Sequence, residues 1–201
     1  MTCPCKNRSE NRSDAKQSTA RANSVTNPYT PCIFCTTKHL SYAQALYEDN
    51  DDRYLANIYL AYLHTHKTWN GITDDIVNII KKAFKHEDLS ELLDNVVHKA
   101  HTMANTENLA EDKSTRTTDL NMTPTQAAYI YILSAYEMFD FELGYKGINT
   151  PYVFGLLQKA CVFLPEPHNY KCRQIWKVIE QKKGYDLLFK DILGYLKTKL
   201  E

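Results

Sequence analysis

TPTQAAYIYILSAYEMFDF, residues 123–141, decides the fold. Thr123-Pro124-Thr125-Gln126 supplies a capping hydroxyl, a proline where no helical N–H is needed, and a Gln that can reach back over the cap. Behind that start, Ala127, Ala128, Tyr129, Ile130, Tyr131, Ile132, Leu133, Ala135, Tyr136, Met138 and Phe139 cover most of a helix circumference. Such a helix belongs at the centre of a molecule, with amphipathic helices around it. Its apolar run, Ala127–Tyr136, is broken by Ser134 and falls well short of the ~20 residues that span a bilayer, which argues against a membrane partner.

The surrounding layer is legible on both sides. Upstream, Leu40, Ala43, Leu46 and Tyr47 mark a helix near 37–49, and Leu55, Ile58, Tyr59 and Tyr62 another near 52–68. Thr73 followed by Asp74 and Asp75 reads as a cap with two carboxylates at the positive end of a third helix, whose apolar side is Ile76, Ile79, Ile80, Ala83 and Phe84. Asp88 and Glu91 resemble a capping box before the stripe Leu89, Leu92, Leu93, Val96, Val97 and Ala100. Downstream, Thr150-Pro151 starts a helix marked by Val153, Phe154, Leu156, Leu157, Ala160 and Cys161, and Pro165 and Pro167 stop it. Cys172, Ile175, Trp176 and Ile179 mark a helix near 169–183, and Leu187, Leu188, Ile192, Leu193 and Leu196 mark the last. With only six glycines and no run of strand-like alternation, the expectation is an all-α multi-helix bundle of about eight helices. Residues 104–122 lose the helical period and read as a polar linker between a half at 32–103 and a half at 123–201.

Residues 1–31 differ in kind. Four Ser, four Thr and four Asn, with Tyr29 the lone aromatic, leave too little apolar surface to offset the entropy of ordering. This amino-terminal arm is expected to be disordered alone and to take shape on a partner. Lys6, Arg8, Arg12, Lys16 and Arg21 outweigh Glu10 and Asp14, so the partner surface is a phosphate backbone or an acidic protein face. Thirty extended residues reach about 100 Å, enough to cross a neighbouring subunit. Over all 201 residues, 24 basic and 24 acidic side chains cancel, which argues against nucleic-acid or membrane-surface binding as the dominant role. MTCPCKNRSENRSDAKQ, residues 1–17, has no apolar run of the kind a secretory signal needs. The chain is therefore expected to stay in the cytoplasm that makes it, where Cys3, Cys5, Cys32, Cys35, Cys161 and Cys172 serve as thiols or metal ligands rather than a disulfide framework.

The sharpest chemical signal is Cys32-Ile33-Phe34-Cys35-Thr36-Thr37-Lys38-His39, a Cys-x2-Cys-x3-His run leading into a helix. Two thiols at that spacing can chelate a structural zinc ion, His39 offers a nitrogen, and Cys3 and Cys5 are the candidates to complete the set. The same run supports redox chemistry. A thiol at a helix amino terminus near Lys38 and His39 has its thiolate favoured, with Cys35 attacking and Cys32 resolving. Cys161 and Cys172 flank the Pro165–Pro167 turn and read as buried free thiols that a helical hairpin can bring together. His98 and His101 read as a solvated edge, His64 and His66 as partners of helix-terminal carbonyls, and Glu137, Asp140 and Glu142 as a solvated rim. No phosphate-binding glycine loop, zinc-protease or serine-hydrolase motif occurs.

Thr30-Pro31-Cys32 to Cys35, Lys38-His39-Leu40 and Ala43 to Glu48 resemble the start of small helical proteins of tailed bacteriophages, in particular ring or connector components of crAss-like phage virions. The excess of Lys over Arg, 18 to 6, and the 14 Asn suit an AT-rich genome of that kind. That resemblance implies a non-enzymatic structural protein of the head–tail junction, localised to the virion, partnered with copies of itself and other virion proteins. Fourteen tyrosines on helical stripes suit both core and interface contacts. The Cys-x2-Cys-x3-His run also resembles the motif of the alkylhydroperoxidase D family, which would imply a thiol–disulfide redox enzyme using Cys32, Cys35 and His39. A zinc-dependent nucleic-acid-binding protein, using the basic arm, is the remaining expectation.

Overall fold

The computed structural model describes residues 31–65, 69, 71–106, 120–142, 150–181 and 184–200. The basic arm, with Cys3 and Cys5, and His66 lie outside the described residues. Within them are eight helices: α1 Ile33–Glu48, α2 Arg53–Thr65, α3 Ile72–Ala83, α4 Ser90–Asn105, α5 Pro124–Glu142, α6 Thr150–Cys161, α7 His168–Gln181 and α8 Tyr185–Leu200. The all-α expectation holds, and no strand occurs among the described residues.

Their packing follows two closed circuits. Helix α1 packs on α2, α2 on α3, α3 on α4, and α4 returns to α1. Downstream the pattern repeats, with α5 on α6, α6 on α7, α7 on α8, and α8 returning to α5. Among the described helices, the pairing of α2 with α5 joins the two circuits. A helix that belongs to one circuit and borders the other must bury nearly its whole circumference, and both joining helices do. Leu55 through Thr65 of α2 are all buried, and in α5 Ala127–Ile130, Ile132–Ala135, Glu137 and Met138 are buried. The central position expected of α5 is thus shared with α2. One core cluster runs through both circuits, from Ile33 to Leu196.

Local chemistry sets the ends. The Thr123 N–H donates to Gln126 Oε1 at 3.0 Å and the Gln126 N–H to Thr123 Oγ1 at 3.3 Å, the reciprocal box read from the sequence. Helix α4 starts differently. Leu89 occupies the cap position without a side-chain bond, and Asp88 Oδ1 instead accepts from the Ser90 N–H at 2.9 Å and from Tyr47 Oη at 3.2 Å. Nor is Thr73 a cap. Helix α3 begins at Ile72 after Gly71, whose φ of 83° needs glycine, and the Thr73 hydroxyl donates back to Trp69 O at 2.9 Å. The α1–α2 turn is closed by Asn50 at φ 55°, a left-handed conformation that Asn tolerates, and Asp51 accepts from the Arg53 N–H at 3.0 Å to launch α2.

Candidate functional site: a polar chain behind the Cys-x2-Cys turn

Helix α1 starts four residues earlier than its apolar period suggests, with Ile33, Thr36 and Thr37 of its first turns all buried. Thr36 Oγ1 donates to Cys32 O at 3.1 Å and Thr37 Oγ1 donates to Ile33 O at 2.8 Å, with a further bond to Ala100 O at 3.2 Å on α4. Cys32 is therefore the N-cap of α1 and Cys35 lies in its first turn. The Cys32 N–H donates to His64 O at 2.9 Å, which fastens the start of α1 to the end of α2. Cys32 is buried and Cys35 partly exposed, so the sulfur nearer solvent is the second of the pair.

His39, one turn beyond Cys35, opens a chain of polar groups that runs inward. Its Nδ1 lies 3.0 Å from Asn57 Oδ1, and its ring stacks on His64 with centroids 5.5 Å apart. Asn57 Nδ2 donates to Glu137 Oε1 at 3.0 Å and to Arg53 O at 3.1 Å. The Arg53 guanidinium stands 3.9 Å from Glu137 Oε2 and is clamped by Asp51 at 2.6 Å. The orientation of Asn57 fixes the tautomer of His39. A carboxylate only accepts, so the amide nitrogen faces Glu137 and the amide oxygen faces His39, which must carry its proton on Nδ1 and leave Nε2 as the acceptor. Burial lowers the His39 pKa below the usual imidazole range. The Asn57 bond pulls the other way, and the Lys38 charge adds to the lowering. Asp51 is held below the usual carboxylate range, chiefly by its hydrogen bonds from Arg53.

Glu137 corrects the sequence reading. It was expected on a solvated rim, yet it is 4% exposed between α5 and α2, because Asn57 and Arg53 offset the cost of its burial. The side chains of Asp140 and Glu142 lie outside those described. Asn57 and Arg53 carry this network and were not singled out from sequence. Their signal was an amide inside the apolar Leu55–Leu63 run.

Of the proposed ligand set, Cys32, Cys35 and His39 lie among the described residues. Among the described residues no group of three His, Cys, Asp or Glu side chains converges on one point. His98 and His101 are exposed, as read, with His101 Nε2 3.1 Å from Ser41 Oγ. Cys161 ends α6 and Cys172 lies within α7, the first partly exposed and the second buried. A cleft of about 280 Å³ opens elsewhere, between α3 and the start of α5, and no cysteine or histidine lines it. Compared with protein-family models, curated proteins and solved structures, the chain matches none.

Proposed function

We propose that this chain is a non-enzymatic assembly component, a two-circuit helical module that builds an oligomer of its own copies. The carrying observation is the α6–α7 turn, where Val162, 78% exposed, Phe163 and Tyr170, 60% exposed, stand outside the core within nine residues of sequence. Apolar groups concentrated on one projection mark a contact surface better than the same groups scattered. A second copy is the favoured occupant, since zero net charge removes the long-range repulsion that keeps like chains apart. Phe34 and Tyr42 are also exposed, on α1 immediately after the point where the arm joins, and offer the arm of a neighbour a place to dock. The resemblance to phage ring and connector components supports a place in a virion. A structural zinc held by Cys32 and Cys35 with Cys3 or Cys5 would then tie the arm to α1. Among the described tyrosines, Tyr59, Tyr62 and Tyr129 are buried and six more pack against the core, whereas Tyr42 and Tyr170 are exposed and available to an interface.

Native mass spectrometry with metal analysis tests this. A discrete multimer is expected, reduced to monomer by Val162→Asp with Tyr170→Asp and by deletion of residues 1–30, both with unchanged helicity. A wild-type monomer at micromolar concentration refutes it.

One observation favours a second reading, thiol–disulfide chemistry. Cys35 lies in the first turn of a helix, one turn before an imidazole whose Nε2 is left as an acceptor. Rapid alkylation of Cys35 with peroxide turnover supports that reading, whereas stoichiometric zinc that protects Cys32 and Cys35 supports the structural site.

A further inference from the structure

Helices α6 and α7 form a hairpin whose two cysteines meet across it. Asn169 fastens the turn, its Nδ2 donating to Cys161 O at 2.6 Å and its N–H to Pro165 O at 2.9 Å. Cys172 Sγ, fully buried, lies 3.5 Å from Leu157 O, the carbonyl one turn before Cys161 on α6, so the two cysteines stand at the same level of the hairpin, and Cys161 reaches solvent. Arg173, next in sequence to Cys172, is exposed. The pair therefore has an outer sulfur that reaches solvent and an inner, buried sulfur, with a cation in the adjoining position of α7.

From this placement we propose that Cys161 and Cys172 are a redox-active dithiol, with Cys161 the attacking thiolate toward hydroperoxides and Cys172 the resolving thiol. The Cys161 thiolate attacks the distal oxygen of ROOH. An S–O bond forms, the O–O bond breaks, and the departing alkoxide takes a proton from water to become ROH. Cys172 then attacks the sulfur of the Cys161 sulfenic acid. The S–S bond forms, the S–O bond breaks, and the leaving hydroxide carries off the Cys172 proton as water. Two thiols lose two electrons and the peroxide gains them. The electrostatics agree: the bond from Cys172 lowers the Cys161 pKa to about 7, aided by Arg173 and opposed by burial and by Glu166, while Cys172 is pushed up. This pair is separate from the Cys-x2-Cys turn, but Cys161 adjoins Val162 of the proposed contact surface, so the reaction is assigned to the free subunit and is read on the Val162→Asp, Tyr170→Asp monomer as well as on wild type.

The test uses the full reduced chain with one equivalent of hydrogen peroxide and peptide-resolved mass spectrometry, so that each cysteine is scored by itself. A Cys161–Cys172 disulfide that dithiothreitol reverses is expected, with Cys161 alkylated by iodoacetamide at pH 7 about tenfold faster than an ordinary thiol. Cys172→Ser should strand Cys161 as a sulfenic acid that dimedone traps, and Arg173→Gln should move the midpoint of the alkylation profile upward. Should Cys172→Ser unfold, the wild-type peptide map and the Arg173→Gln profile decide. Peroxide that leaves both thiols reduced, links Cys161 between chains, or an Arg173→Gln profile that does not move overturns the proposal.

Discussion

Truncating Asn57 to Ala removes one amide and affects both ends of the buried polar chain. The His39 Nδ1–H loses its acceptor at 3.0 Å and Glu137 Oε1 loses its donor at 3.0 Å. A buried group left unpaired costs about 1–3 kcal/mol, with the Glu137 carboxylate at the upper end and half-buried His39 at the lower. Arg53, at 3.9 Å from the other Glu137 oxygen, is too distant to replace the lost bond. The expected loss is therefore about 3–5 kcal/mol, which in a domain of this size lowers Tm by roughly 6–20 °C. Urea unfolding followed by circular dichroism at 222 nm, with calorimetry for Tm, measures it. A double-mutant cycle isolates the bond. Glu137→Ala and Asn57→Ala each break it, so the double variant should cost less than the sum of the singles by about 1–3 kcal/mol. An Asn57→Ala loss under about 0.5 kcal/mol, or additivity within the same margin, would refute the idea that these groups form one buried unit.

Three further outcomes are expected. Thr123→Ala removes the hydroxyl half of the α5 capping box and should cost about 1 kcal/mol in the same urea assay, with Gln126→Ala costing less. His39 has its pKa lowered by burial in the folded state, so below the unfolded imidazole value of about 6.5 the unfolded chain binds the extra proton. Stability from this group is complete above that value and declines as pH falls. Tm measured between pH 7.5 and 5.5 should fall more steeply for wild type than for His39→Asn, and equal slopes would contradict the assignment. At Asn50, in the left-handed region, Asn50→Gly should hold or raise Tm while Asn50→Val should cost about 1–2 kcal/mol.

The helices were legible because burial imposes a period on sequence, and where the reading slipped the causes are specific. The start of α1 was placed late because Thr36 and Thr37 look polar in sequence, although their hydroxyls turn inward onto helical carbonyls. In α8 the sequence face takes in Leu187 and leaves out Phe189, while Ile192 and Leu196 are buried as read. Leu187 is 74% exposed and Phe189 fully buried, since a single residue rotates a helical position by about 100°. Glu137 was assigned to solvent because charge predicts exposure unless a partner is known, and its partner Asn57 is eighty residues away in sequence. Pairings at that separation follow from the α2–α5 contact, which no local window contains. The Cys-x2-Cys-x3-His run shows its spacing in sequence, whereas the bond from His39 to Asn57 on α2 depends on the α1–α2 packing and is invisible to any local window.

The seam between α2 and α5 has a consequence for how the polypeptide can be divided. Tyr59 meets Tyr131 edge-on with centroids 5.8 Å apart, and Asn57 bonds Glu137 across the same boundary, so the halves recognise each other through side chains as well as through the covalent connection. Residues 31–106 and 120–200 each contain one circuit of four helices and one side of this boundary. Mixed together, they should reconstitute one particle, which makes this chain a natural split pair for reporting the proximity of whatever is fused to its two pieces.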